Sequence, residues 1–472
     1  MRLRRALTAP IALVLAAACA VGPDYVPTEV SPPPEFRSQV TPTDAASIAD
    51  LPWWEVFDDP VLQQLVAEAL GANYDLATAV YRVEQAKAQV GVAQSPFYPQ
   101  IVYQGNAGRQ RQPDFLIQPA ATFDLFYGAF SLAWELDVWG RIRRSNEAAQ
   151  QQLLGTEDVR RGVMLSLVTE VAGSYLTLLE LDRELEITQE NVKSFDDSLD
   201  LFSRRFKGGV GNRLQVARAE AAQAQVAAQI PNLRRQITEQ ENALSVLLGR
   251  APGPIARGVP FLDRPPAPPT PPGLPSALLE RRPDVLQAES TVASSNALVG
   301  VAVANFFPQI GLTGVYGAQS IELHDLVKSN FNLWNYAGNV AGPLFQGFAL
   351  LEQYRGQKAD WEQTKAQYKQ TVITAFAEVS TALSAQAELG AAREAQERSV
   401  LAYQESVKIA RIRFDQGLAN YYEVLEAQQQ LFPAQIVLAR FQLDQLLTVV
   451  TLYRALGGGW KLTDEQWTQK PP

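Results

Sequence analysis

From Met164 to Phe206 the chain places an apolar residue at nearly every alternate step of three and four. The stops are Leu167, Val171, Leu178, Leu181, Leu185, Val192, Phe195, Leu199, Phe202 and Phe206, with Ser174 and Thr188 as the polar exceptions. Spacing of about 3.5 residues belongs to helices that pack along their whole length, as coiled coils do. After Gly208-Gly209-Val210-Gly211-Asn212 the seam resumes at Val216, Ala219, Gln223, Val226, Ile230, Leu233, Ile237, Gln240, Leu244 and Leu247. This predicts an antiparallel hairpin of two very long helices. A helix from Arg141 to the turn would be roughly 100 Å long at the usual rise per residue. Taken alone, such a hairpin also fits a cytoplasmic coiled-coil scaffold.

Few chemistries are open to the chain. It has one Cys and one His, Cys19 and His324. Neither a disulfide framework nor a Cys/His metal site can be built from them. A Ser-His-Asp or Cys-His mechanism would rest on His324 alone, between Leu323 and Asp325 in a stretch that reads as a solvated loop. There is no phosphate-cradling glycine loop with its lysine. No catalytic cluster emerges, so no enzyme and no cofactor are expected. A formal net charge of -9 and a pI of about 5.0 leave no basic face for nucleic acid.

The N-terminus is tripartite. Arg2, Arg4 and Arg5 precede the apolar run Ile11–Leu15, then Ala16-Ala17-Ala18-Cys19. This is a signal peptide, 1–18, too short to span a bilayer as a permanent helix. Small residues before a cysteine resemble a bacterial lipobox, in which the cysteine is lipidated and begins the mature chain. An ordinary signal cleaved near Ala18 gives the same pattern. Ala20, where inner-membrane lipoproteins usually carry Asp, favours the outer membrane. No later segment has the run of about 18 apolar residues that a membrane helix needs. If the chain crosses a membrane it must do so as a closed β-barrel.

Residues 19–52 read as an extended tether rich in Pro, Ser and Thr. Trp53-Trp54 follows, then Asp59 as a helix N-cap with Pro60 at the first helical position. The register changes after Phe97-Tyr98-Pro99-Gln100-Ile101. Strands are expected at about 100–110 and 122–138. In the second, Phe126, Gly128, Phe130, Leu132, Trp134 and Leu136 alternate with Tyr127, Ala129, Ser131, Ala133, Glu135 and Asp137. One greasy and one polar face is what a transmembrane β-strand requires. A half-buried hairpin of a soluble sheet shows the same alternation.

The prolines of 251–273 mark a linker, and beyond it the chain repeats. Phe97-Tyr98-Pro99-Gln100-Ile101 returns as Phe306-Phe307-Pro308-Gln309-Ile310. Arg205-Phe206 with Gly209 and Asn212 returns as Arg413-Phe414 with Gly417 and Asn420, and Leu248-Gly249 as Leu456-Gly457. A period of roughly 208 residues is a duplicated domain. Repeat 1 is expected at 53–250 with its hairpin tip near 208–212. Repeat 2 is expected at 274–458, with strands at about 309–320 and 331–343 and a tip near 416–422, followed by a tail at 459–472. In repeat 2, Ile310, Leu312 and Tyr316 share one face, and Trp334, Tyr336 and Val340 share another. Pro231 and Pro433 predict a bend or a changed packing partner.

Four strands cannot close a barrel, and an open sheet in a bilayer would leave unpaired edges. A barrel must therefore be shared, and three chains would supply twelve strands. The expected fold is α+β: a trimeric 12-stranded outer-membrane barrel, four strands per chain, continued by a long α-helical barrel.

Cys19-Ala20-Val21-Gly22-Pro23-Asp24-Tyr25, Trp53-Trp54, Asp59-Pro60-Val61-Leu62, Asn73-Tyr74-Asp75-Leu76 and Arg281-Arg282-Pro283-Asp284-Val285 form an ordered set. The set resembles the TolC-like outer-membrane factors of tripartite efflux systems, in the lipoprotein branch of OprM, CusC and NodT-type proteins. The resemblance spans the mature chain. It implies a homotrimer with an equatorial region, where the linker and tail would sit. It also implies two partners, a periplasmic adaptor and an inner-membrane pump of the RND type. The implied activity is a passive exit duct for small molecules such as drugs and toxic compounds; a duct for type I protein secretion is the alternative. The implied gate and adaptor contact lie at the tips: Gly208 and Gly209 on one, and Asp415, Gly417, Leu418, Asn420, Tyr421 and Glu423 on the other. An acidic ring and an apolar constriction are both open there. Glu135 and Asp137 are candidate lumen charges favouring cations.

Overall fold

The computed structural model of the chain describes residues 20–38, 47–112, 121–261, 264 and 271–468. The signal, Cys19, residues 113–120 and the prolines at 265–269 lie outside them. In chain order the longer elements of the first half are α1 (Pro60–Ala72), α2 (Tyr74–Gln94), β1 (Gln100–Gln112), β2 (Ala121–Leu136), α3 (Arg141–Lys207), α4 (Arg213–Ala227) and α5 (Gln229–Leu247). Those of the second half are α6 (Pro283–Ala304), β3 (Gln309–Ser320), β4 (Asn332–Ala341), α7 (Ala349–Asp415), α8 (Tyr421–Ala455) and α9 (Asp464–Thr468).

The helix pattern follows from where proline falls. α3 and α7 each run 67 residues with no proline inside. Pro231 lacks an amide hydrogen, and its ring crowds the carbonyl of the residue four positions earlier. The outgoing helix accordingly breaks at Ala228, between α4 and α5. Pro433 remains inside a continuous α8. Asp59 caps α1 as the sequence predicts, accepting from the amides of Val61 and Leu62 with Pro60 at the first position. Its carboxylate also accepts from the Tyr175 hydroxyl at 3.2 Å and pairs with Arg264.

The chain forms two compact units that cut across its repeats. The first holds the described part of residues 1–29 with Tyr81–Glu157 and Gln287–Gln370; the second holds the described part of Val30–Val80, Asp158–Leu286 and Thr371–Pro472. A repeat is a unit of sequence, whereas each unit of packing draws on both copies.

The first unit contains one antiparallel sheet in the order β1-β2-β3-β4. Its registers pair Gln100 with Ala133, Phe126 with Ser320, and Gln309 with Ala341. The outer edges of β1 and β4 have no partner strand among the described residues. At the end of β2 the Trp139 ring stacks on Phe307 at 4.7 Å, and its Nε1 donates to the Pro308 carbonyl at 2.8 Å. An N-terminal strap runs beside this corner. The Val21 amide donates to the Trp139 carbonyl, Asp24 pairs with the buried Arg144 at 2.6 Å, and the Tyr25 hydroxyl donates to Glu289 at 3.1 Å.

The described residues of the second unit are all helix and connection. Its core includes Val168, Val171, Tyr175 and Leu178 of α3, Leu233, Ile237 and Leu244 of α5, and Leu452 and Tyr453 of α8. α3 and α8 are long and apolar enough to cross a membrane by length and composition. In α3 most of the apolar window, 61%, is buried inside the protein, as in a core helix.

Candidate functional site

The sheet has one continuous greasy face. Register places Tyr103 opposite Phe130, Phe130 opposite Tyr316, and Tyr316 opposite Trp334. A second row joins Ile101, Leu132, Gly314 and Tyr336 in the same way. Ile310, Leu312 and Tyr316 therefore share a single face with Trp334, Tyr336 and Val340; the expectation of two separate faces is corrected by the β3–β4 register. Tyr103, Ile101, Phe130, Tyr316, Trp334, Tyr336 and Val340 are all exposed on it. The opposite face carries Gln104, Asn106, Ser131, Glu135, Thr313, Asn335 and Asn339. A sheet covered with exposed aromatics on one side and amides on the other is built for lipid outside and water inside.

Glu135 and Asp137, expected as lumen charges, sit at the corner between β2 and α3. Glu135 is held by both Nε and Nη2 of Arg141, at 3.0 and 2.6 Å. Asp137 accepts from the amides of Ile142 and Arg143 at 3.0 and 2.9 Å and pairs with the Arg143 side chain. Both carboxylates are thus engaged in starting α3, where an anion also complements the helix dipole.

The two hairpin tips are built alike. The Gly209 amide donates to the Phe206 carbonyl and the Val210 amide to Arg205; 208 residues later, Gly417 donates to Phe414 and Leu418 to Arg413. This is a Schellman cap, which needs a left-handed residue, and Gly209 and Gly417 have φ of 78° and 74°. Gly208 is the last residue before the cap, with its amide on Arg204. Asn212 and Asn420 then cap the outgoing helices, accepting from the amides of Gln215 and Tyr422.

The tip residues divide into outer and inner groups. Leu418 is 69% exposed, and Val210 and Tyr422 are exposed too. Glu423 is tied to Arg413 at 3.7 Å, and Asp415 lines a cavity of about 330 Å³ together with Asp197, Arg204 and Arg411. Tyr421 lies inside. Its ring sits edge-on to Phe202 at 4.3 Å and to Phe414 at 5.1 Å, and its hydroxyl hydrogen-bonds Ser198.

Above Tyr421, α3 and α8 meet through a ladder of polar contacts. Gln428 donates to Ser194 at 2.7 Å, Asn191 to Gln435 at 3.2 Å, and Arg440 to Glu184 at 2.8 Å. Glu180 completes it. Burial, the neighbouring Glu184 charge and the hydrogen bond that the protonated Glu180 donates to that side chain push its carboxyl up to about 8. Apolar periodicity could not reveal this ladder. Its signal is a second heptad series, Glu184, Asn191 and Ser198, running beside the apolar one and buried.

Among the described residues, Glu322, His324 and Asp325 form a cluster of possible metal ligands. They lie on the β3–β4 connection, and Lys328 is paired with Asp325. Cys19 lies outside the described residues.

The sequence profile of the outer membrane efflux protein family matches residues 65–250 and again 274–458. The chain belongs to that family. It is 32% identical over 450 residues to TtgC of Pseudomonas putida, a toluene efflux pump outer membrane protein, covering 94% of this chain and 93% of that one. It is 29% identical to SilC of Salmonella typhimurium, a probable outer membrane lipoprotein, with 95% and 97% covered. Its fold matches the open-state outer membrane channel MtrE of Neisseria gonorrhoeae with a TM-score of 0.82 at 28% identity, covering 94% and 99%. This family member is accordingly an outer-membrane protein with the α+β channel fold, four strands per chain and paired long helices.

Proposed function

We propose that three copies of this chain form a passive exit duct, the outer-membrane stage of a tripartite efflux pump for small organic molecules. The observation that carries this reading is the four-stranded sheet, greasy on one face, polar on the other and unpaired at both edges. In a bilayer each edge must find a partner, and three such sheets make a twelve-stranded barrel, an even number within the known range. The polar face then lines the channel. The duplicated hairpins continue it as a helical tube, with the linker 251–273 and the tail 459–472 around its waist. TtgC, named for toluene efflux, supports small organic cargo. Energy and selection come from partners, an inner-membrane pump of the RND type and a periplasmic adaptor. Cys19 carries lipid, as the name of SilC supports.

The gate in this reading lies at the tips. Gly208, Gly209, Gly417 and Asn420 fix the turns, and exposed Leu418 forms the constriction and adaptor contact. Glu423 and Asp415 belong to polar networks beside it. Tyr421 and its bond to Ser198 form the lowest rung of the α3–α8 ladder. Polar rungs exchange for water at small net cost, so when hairpin 2 swings from hairpin 1 the main opposing contact is the apolar one of Tyr421 on Phe202. Mass measurement in detergent and conductance in planar bilayers test the reading together. A conducting trimer is expected; a monomer, or a trimer without conductance after the tip contacts are removed, refutes it.

A further inference from the structure

At each corner where the sheet gives way to a long helix, the chain passes through a residue of positive φ. In repeat 1 this is Gly140, φ 82°, and α3 begins at Arg141; in repeat 2 Gly347, φ 57°, is followed by Phe348, φ 66°, 208 residues after Gly140, and α7 begins at Ala349. The spacing is that of Gly209 and Gly417, so the same corner occurs twice. A side chain disfavours this backbone region, and an unfavourable conformation retained at an exposed site points to a use for that side chain's position.

The chain treats the two corners differently. In repeat 1 the N-terminal strap covers the corner. A Cβ on Gly140 would stand 2.8 Å from the Cα of Ala20, the neighbour of Cys19. In repeat 2 no such cover exists among the described residues. Leu344 is fully exposed, Phe345 75% and Phe348 67%, with the two rings edge to face at 5.7 Å. The backbone beneath is fixed, since a Cβ on Gly342 would stand 2.7 Å from the Cα of Pro308.

We propose that Leu344, Phe345 and Phe348 are an interfacial membrane anchor that inserts into the periplasmic leaflet surface of the outer membrane. They are repeat 2's counterpart of the lipid-bearing strap. The proposal rests on the reading of the greasy sheet face as the lipid-facing wall. That face runs down β4 through Trp334, Tyr336 and Val340, and the patch follows in the chain directly after the strand ends at Ala341. No charged residue occurs from Ser329 to Leu351, so nothing ionic is desolvated on insertion. Aromatic rings suit the depth at which headgroups meet acyl chains. The irregular backbone is admissible there, because water still reaches that level.

The test is site-directed spin labelling of the full chain in phosphatidylethanolamine/phosphatidylcholine vesicles. Labels are placed singly at Leu344→Cys, Phe345→Cys and Phe348→Cys, with Tyr336→Cys as lipid-face and Asn335→Cys as polar-face reference. The unsubstituted chain reports any background from Cys19. Accessibility to oxygen is compared with accessibility to a water-soluble nickel chelate. The oxygen-to-nickel ratio at 344, 345 and 348 should exceed that at 335 several-fold and approach that at 336. A ratio like that at 335 means a solvated loop and overturns the proposal. Immobile labels shielded from both reagents mean a second copy covers the patch, which also overturns it. A water-like reading at 336 itself removes the lipid-wall reading on which the proposal stands.

Discussion

Replacing Glu180 by Gln probes the α3–α8 ladder at its most constrained rung. Glu180 and Glu184 are 4% and 6% exposed on α3, and α8 presents Arg440, which pairs with Glu184, and Asp444, which repels both. Burial disfavours the charged form of Glu180 first, and one cation cannot neutralise the carboxylates around it, so Glu180 keeps its proton to about 8, against an ordinary 4.5. Its acidity is weakened on folding, so the stabilising protonated arrangement is complete below the ordinary value. It is lost as pH rises through about 8. Between those values the folded chain holds a proton that the unfolded chain has released. Stability then falls with pH by up to about 1.4 kcal/mol per unit. Gln keeps the hydrogen bond to Glu184 without the ionisation. The midpoint of helix unfolding, followed by circular dichroism at one scan rate, should fall from pH 6 to pH 9 in the wild-type chain. It should fall less in Glu180→Gln, so that the variant becomes the more stable above neutrality. Midpoints that move in parallel with pH would show that the pair does not share a proton, and the argument would fail.

Five other substitutions address separate claims. Tyr421→Ala empties the space between Phe202 and Phe414 and should cost the tip about 3 kcal/mol, raising planar-bilayer conductance; Leu418→Ala should change conductance while leaving stability within about 0.5 kcal/mol. Arg282→Met removes a buried guanidinium that holds Asp284, Glu378 and the Ala455 carbonyl, and should cost on the order of 3 kcal/mol in denaturant unfolding. Gly249→Ala would set a Cβ 2.2 Å from the Ala72 carbonyl oxygen, whereas Gly209→Ala meets nothing within 4 Å. Thermal scans should show a loss of about 1 kcal/mol at 209 and a much larger one at 249.

The sequence revealed the parts of this fold that rest on apolar period and turn chemistry. β2 alternates from Phe126 to Leu136, and glycine suits the left-handed caps at 209 and 417, so both tips could be placed from residue type. The upper seam of α3 was legible for the same reason, with Met164, Leu167, Val171 and Leu178 all buried. Lower down the same rule misleads. Leu181, Leu185, Val192 and Leu199 are only half-buried, while Glu184, Asn191 and Ser198 are buried. A seam made of paired polar groups has no apolar signature, and its members are recognisable only by what stands opposite. Tyr421 illustrates the same limit. Beside a glycine turn it reads as an exposed gate residue, and only the third dimension puts its ring between Phe202 and Phe414. Glu135 and Asp137 read as free charges because Arg141 and Arg143 follow them across a change from strand to helix.

The equal length of α3 and α7 makes reach a shared dimension of the two repeats. A heptad inserted into α3 alone, between the β2 corner and Ser198, would carry Gly209 about 10 Å beyond Gly417 and separate Ser198 from Tyr421. Matched insertions in both hairpins, outgoing helices included, would preserve every rung and both turns. A pair of hairpins of this kind can be lengthened only in steps that both halves of the gene take together.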